Sequence, residues 1–134
     1  MIKKIYIGLA LLIPLLSSAD ETLKASCREM VSSQQIYDCS KIERDAADKI
    51  LNDSYKTLLA RVKDQYKPSP ELGEEFIEKI KVSQRLWTKL RDADCILDAF
   101  QIETGSQAYE TTVNKCLARL SEERSRHLEE NILR

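Results

Sequence analysis

The sequence predicts an all-α protein: a small antiparallel three-helix bundle with a short N-terminal helical segment and two disulfides. Three observations predict it. Apolar residues recur at three- to five-residue intervals over most of the chain, the repeat of amphipathic helices rather than strands. Past the first stretch, glycine and proline occur only at Pro68, Pro70, Gly73 and Gly105, so two breaks divide the periodic region. The cysteines number four, an even count that reads as two bridges in an exported chain.

The first stretch supplies the exported context. Met1-Ile2-Lys3-Lys4 is basic, Ile5 to Leu16 is mostly apolar, and Ser17 and Ala19 put small residues where a signal peptidase reads. This order describes a secretory signal peptide over residues 1–19. The apolar run is about 12 residues, short of the roughly 20 that span a bilayer. Residues 20–134 are then one helical domain by size. Of 21 basic residues, Lys3 and Lys4 leave with the signal, and the remaining 19 face 22 acidic ones. A mildly acidic domain argues against nucleic acid, which needs a basic face to release counterions. The expected location is periplasmic or secreted, with no membrane span in the mature chain.

Each helix has its own signals. Ser32 or Ser33 is placed to cap a brief helix through Tyr37, and Ser40 to cap a long one reaching about Tyr66. The long helix carries Ile42, Ala46, Ile50, Tyr55, Leu58, Leu59, Val62 and Tyr66 on its repeat. Lys67-Pro68-Ser69-Pro70 ends it, and Ser69 before Pro70 opens the next. That second helix runs to about Ile102 through Leu72, Phe76, Ile77, Ile80, Trp87, Leu90, Leu97 and Phe100. Gly105 suits a left-handed position after it, and Ser106 the N-cap of a third helix to about Asn131. The third repeat passes through Tyr109, Val113, Cys116, Leu120 and Leu128.

Short turns make sequential helices antiparallel and fix which residues lie level. Around Pro68 to Gly73, level residues have numbers summing to about 139. Asp48 then meets Arg91, Asn52 meets Trp87, and Tyr55 meets Gln84. Around Gly105 the sum is about 211, which sets Cys95 beside Cys116 and Trp87 beside Arg124. Cys95–Cys116 is therefore the favoured bridge, leaving Cys27–Cys39. Gln84, Trp87, Arg91 and Cys95 share one helix face. Asp48, Asn52 and Tyr55 share another. Together with Arg124 they form a polar seam between helices.

The same residues resemble a known family. Asp48-x-x-Leu51-Asn52-x-x-Tyr55, Gln84-Arg85-x-Trp87-x-x-x-Arg91-Asp92-x-x-Cys95, Gly105-Ser106, Cys116 and Arg124-x-x-x-Leu128 together resemble the lysozyme inhibitor LprI-like N-terminal domain family. The resemblance covers roughly Cys27 to Leu128. It implies a small, helical, disulfide-bonded envelope protein, in a family named for a lipoprotein that inhibits lysozyme. Thr104-Gly105 replaces a glycine pair of that family, and Ser121 replaces a threonine while keeping its hydroxyl. No cysteine stands at the cut site for lipidation, unlike the founding lipoprotein, and the family lends no catalytic residue to this chain.

The residues themselves point the same way. Asp48 and Arg91 read as a register-fixing ion pair, and Trp87 as core with Arg124 over its ring. His127 is the single histidine and reads as a surface imidazole, with no nucleophile beside it. No cysteine pair has zinc-ligand spacing, and the helical Asp92, Asp94 and Asp98 lack the looped geometry of a calcium site. Glu74, Glu75 and Glu78 suit the positive end of a helix dipole. No catalytic residue, cofactor or metal is expected. The expected function is a non-enzymatic binding protein with a protein partner, and the resemblance implies, first of all, an inhibitor of lysozyme-type muramidases. The alternative is a structural or stress-related envelope protein that binds another bacterial protein. The exposed turns, Lys67–Gly73 and Glu103–Gln107, are the candidate contact surfaces.

Overall fold

The computed structural model describes residues 27–130 and Ile132. The signal segment 1–19 lies outside the described residues. Three helices follow one another: α1 (Ser33–Gln65), α2 (Pro70–Asp98) and α3 (Gln107–Glu130). Among the described residues there is no strand, and no helix is long and apolar enough to cross a membrane.

The brief N-terminal helix is not separate. It forms the first turns of α1, which continues unbroken through Ser40. Ser32 is the N-cap, in a reciprocal capping box: Ser32 Oγ accepts from the Gln35 amide while Gln35 Oε1 accepts from the Ser32 amide. No glycine or proline interrupts residues 33–65. Ser40, expected at a cap, is a fully buried interior residue. Its hydroxyl donates to the Tyr37 carbonyl at 2.6 Å and accepts from Asn114 Nδ2 at 3.2 Å. A serine bonding back to its own helix reads the same in sequence as one opening a helix.

The turns behave differently from each other. Pro70 takes the first position of α2, but Ser69 makes no side-chain cap. The close approach there is between Gly73 and Tyr66, where an added Cβ would lie 2.8 Å from Tyr66 Cβ. α2 stops at Asp98, short of Ile102, and residues 99–102 form tight turns. Gly105 has φ 80°, in the left-handed region, but lies within the loop rather than at the helix end. Ser106 caps α3 as expected, its Oγ accepting from the Tyr109 amide at 3.1 Å.

The apolar core sits toward the α1–α2 turn. Leu51, Leu58, Val62, Ile77, Ile80 and Leu128 form it, with Tyr55, Leu59, Tyr66, Phe76 and Trp87 packed around them. Tyr66 and Phe76 meet edge to face at 5.9 Å. Farther along, α1 and α3 meet through small or polar residues, Ser40, Ala47 and Ser54 against Asn114, Ala118, Ser121 and Ser125, all buried. α2 has two apolar faces. Ile77 and Ile80 are buried, whereas Leu72, Leu90, Leu97 and Phe100, expected on the packing repeat, are exposed. Ile50 on α1 is also exposed.

Both bridges form as expected. Cys27–Cys39 ties the entry of α1 to the residues preceding it, and Cys95–Cys116 ties α2 to α3. The second closes a separation of 21 residues, worth about 3 kcal/mol in the chain-entropy picture. Replacing Cys95 and Cys116 together by serine is predicted to lower unfolding stability by about that amount in urea titration, with helical content kept in dilute buffer. A change below about 1 kcal/mol would mean the α2–α3 contact is secured by other means.

Candidate functional site

Arg91 occupies the middle of α2, and its side chain is only 10% exposed. A guanidinium has five N–H donors and no acceptor, so a site this buried must supply oxygens on several sides. It does. Nη1 donates to Asp48 Oδ1 at 2.8 Å and to Ser121 Oγ at 2.8 Å. Nε and Nη2 both donate to Asp92 Oδ1, at 2.9 and 2.8 Å. The Ser121 hydroxyl, having accepted from Arg91, donates onward to Asp48 Oδ1 at 2.9 Å. One closed network thus joins α1, α2 and α3.

Trp87 lies one turn earlier on α2, with two guanidinium groups near its ring. Arg91 Cζ is 5.4 Å from its ring and Arg124 Cζ 5.5 Å, both within cation–π range. Arg124 reaches α2 from α3, with Nε donating to Gln84 Oε1 at 3.0 Å and Nη2 to Ser83 Oγ at 3.2 Å. Burial pushes the Arg124 pKa below its ordinary value; a neutral amide, a hydroxyl and an aromatic face replace part of its water.

Beside this network, a groove of about 480 Å³ opens between α2 and α1. Asp48, Asn52 and Tyr55 line one wall, and Lys81, Gln84, Arg85, Thr88 and Arg91 the other. Six of the seven seam residues therefore lie along α1 and α2 at the groove or behind it, while Arg124 reaches Gln84 and Ser83 from α3. Asn52 is exposed, and Tyr55 packs partly against the core. Lys81 is engaged by Glu78 at 2.6 Å; that hydrogen bond and the neighbouring charge hold its ammonium above the usual pKa.

Ser121 was identified only as a departure from a family pattern, yet it completes the Arg91 network. The level-pairing rule contained the signal, since a sum of about 211 puts Arg91 opposite residue 120, one position from Ser121. A second polar contact escaped sequence reasoning altogether. Arg44 Nη1 donates to Asn114 Oδ1 at 2.9 Å, and Asn114 Nδ2 to Ser40, joining α1 to α3 across 70 or more positions.

This arrangement holds helices and presents polar surface. Its strongest donor, Arg91, is committed within the chain. All four cysteines are in disulfides, His127 is exposed, and among the described residues no group of His, Cys, Asp and Glu could hold a metal ion.

Fold and site define a small disulfide-tied helical scaffold, of the kind found in oxidising compartments. The chain belongs to the lysozyme inhibitor LprI family, which matches residues 24–128. It is 31% identical over 107 residues to an uncharacterised protein of Rhizobium meliloti strain 1021, covering 78% of this chain and 76% of that one. It is also similar to the crystal structure of a DUF1311 family protein of Pseudomonas putida KT2440. There the TM-score is 0.65 at 31% identity, covering 72% of this chain and 89% of the other.

Arg91→Ala is predicted to lower stability by about 2 kcal/mol in urea titration. The figure lies between a fully buried and an exposed ion pair, because the Asp48 side chain is 40% exposed and water can partly replace its partner. Emission from Trp87 should change in the folded baseline, since one of its two cations is gone. Unaltered stability would mean Arg91 is held for binding rather than for the fold.

Proposed function

We propose that this chain is a non-enzymatic periplasmic or secreted protein that inhibits lysozyme-type muramidases. The observation that carries this reading is the family match, which spans residues 24–128 and so takes in all but the last two residues of the helical body and both disulfides.

The structure favours one of the two turns as the contact surface. Phe100 is 81% exposed on the turn between α2 and α3, and Glu103 is exposed beside it. The Cys95–Cys116 bridge lies just behind that turn. A rigid protrusion with an aromatic and a carboxylate is suited to the cleft of a basic enzyme, because little ordering is needed on binding. The opposite turn carries Lys67, paired with Asp64, and Lys63 nearby, a poorer complement to a basic partner. The glycan itself need not be touched by an inhibitor that blocks the cleft.

The expected result is loss of cell-wall lysis when the purified, oxidised protein is added to lysozyme, saturating near one inhibitor per enzyme. Phe100→Ala combined with Glu103→Lys should weaken inhibition at least about tenfold, corresponding to the loss of one well-placed anchor, with the melting temperature unchanged. No inhibition by the unaltered protein at large molar excess, across several lysozyme types, would favour the alternative of an envelope protein with a different bacterial partner.

A further inference from the structure

The outer face of α2 carries a stripe that the bundle does not use. Val82, Leu86, Leu90 and Leu97 are 45%, 62%, 59% and 66% exposed. With Ala93, also exposed, they recur at intervals of four, four, three and four. From Val82 to Leu97 the stripe runs about 22 Å along the helix. Single exposed leucines are ordinary, but a continuous row on one face is the mark of an interaction surface. The face lies roughly opposite the buried Ile77, Ile80 and Cys95, so α1 and α3 do not obstruct it.

From Leu86 to Leu97 the intervals of four, three and four are those of a coiled-coil seam, with Val82 flanking it at a g position. Leu90 and Leu97 take the a positions, and Leu86 and Ala93 the d positions. In that register Lys89 falls at g and Asp94 at the following e. In a parallel pair, a g residue meets the e residue five positions further along the partner. Lys89 of each copy would therefore face Asp94 of the other, twice over by symmetry. Within one chain these two are five apart on the helix and do not face each other. Both are exposed, and neither makes an ion pair with another described residue. An antiparallel pair would instead set g against g and e against e, leaving Lys89 and Asp94 on opposite flanks.

We infer that the outer face of α2 pairs with the same face of a second copy, giving a parallel two-fold dimer with Leu90 and Leu97 at its seam and Lys89–Asp94 ion pairs on both flanks. The surface is isologous, as closed two-fold assemblies require. The parallel arrangement brings the two α2–α3 turns to the same end of the dimer, while leaving the polar groove free.

Sedimentation equilibrium on the purified, disulfide-intact protein tests this directly. The expected mass is twice that of the monomer, falling to one monomer for Leu90→Glu while the circular dichroism spectrum and cooperative melting are kept. Lys89→Glu should weaken dimerisation roughly tenfold by placing like charges at both flanks. Adding Asp94→Lys to it should restore the affinity, which no effect inside one chain would do. A monomer at all concentrations overturns the proposal, including the case in which the stripe serves a different protein. A dimer that survives Leu90→Glu overturns the interface. A dimer that depends on Leu90 but shows no charge-swap rescue overturns the parallel register.

Discussion

The burial of Arg91 is the constraint around which the three helices are arranged. A guanidinium cannot shed its charge at any pH the protein meets, so the surrounding chain must solvate it. Asp48 from α1, Ser121 from α3 and Asp92 from its own helix do so, with the Trp87 ring alongside. The donor directions are fixed by the planar fork, so the network tolerates little sliding of α2 against its neighbours. The apolar core lies toward one end of α2, at Ile77 and Ile80, and the Cys95–Cys116 bridge toward the other. Arg91 supplies the specific contact between them. Such a polar centre adds less to stability than an equally packed apolar one would, and its contribution to register is the reason it makes physical sense.

The small residues between α1 and α3 follow from the same geometry. Ser121 can reach both Asp48 and Arg91 only if α3 comes close to α1. Ala47 and Ala118 permit that approach, and the hydroxyls of Ser40, Ser54 and Ser125 satisfy themselves against carbonyls of their own helices. The desolvation cost of buried polarity of this kind is largely offset so long as each group is bonded. Among the described residues no buried side-chain nitrogen or oxygen lacks a partner.

What could be read from the sequence divides along physical lines. Level pairing across short turns placed Asp48 against Arg91 and Cys95 against Cys116, because a short turn leaves adjacent helices almost no freedom of register. The same arithmetic does not reach from α1 to α3, which are not consecutive, so the Ser40–Asn114 and Arg44–Asn114 contacts stayed hidden. Ser40 was misplaced because a buried hydroxyl and a helix cap share the same local chemistry. Leu90 and Leu97 were assigned to the packing repeat for a different reason. Periodicity shows that a helix has an apolar face, but a helix with two such faces presents two overlapping repeats. Trp87 and Ile80 mark the inner one, Leu86 and Leu90 the outer.

That doubleness gives α2 its part in the functional reading. Its inner face is fixed by Arg91 and the disulfide, so its outer face and terminal turn are held in one orientation without a bound partner. Rigid presentation reduces the ordering cost of association, and a pair of such helices side by side would present two turns at one end. Two contacts made together exceed either alone only when both sites can be spanned. On a continuous cell wall, a dimer with both turns facing one way could engage two neighbouring enzyme molecules; in dilute solution each turn acts singly. If the chain acts as the proposed lysozyme inhibitor, binding to wall-associated lysozyme should be tighter than binding to free enzyme by a factor that disappears when the α2 stripe is broken, a dependence that a monomeric scaffold with the same turn cannot produce.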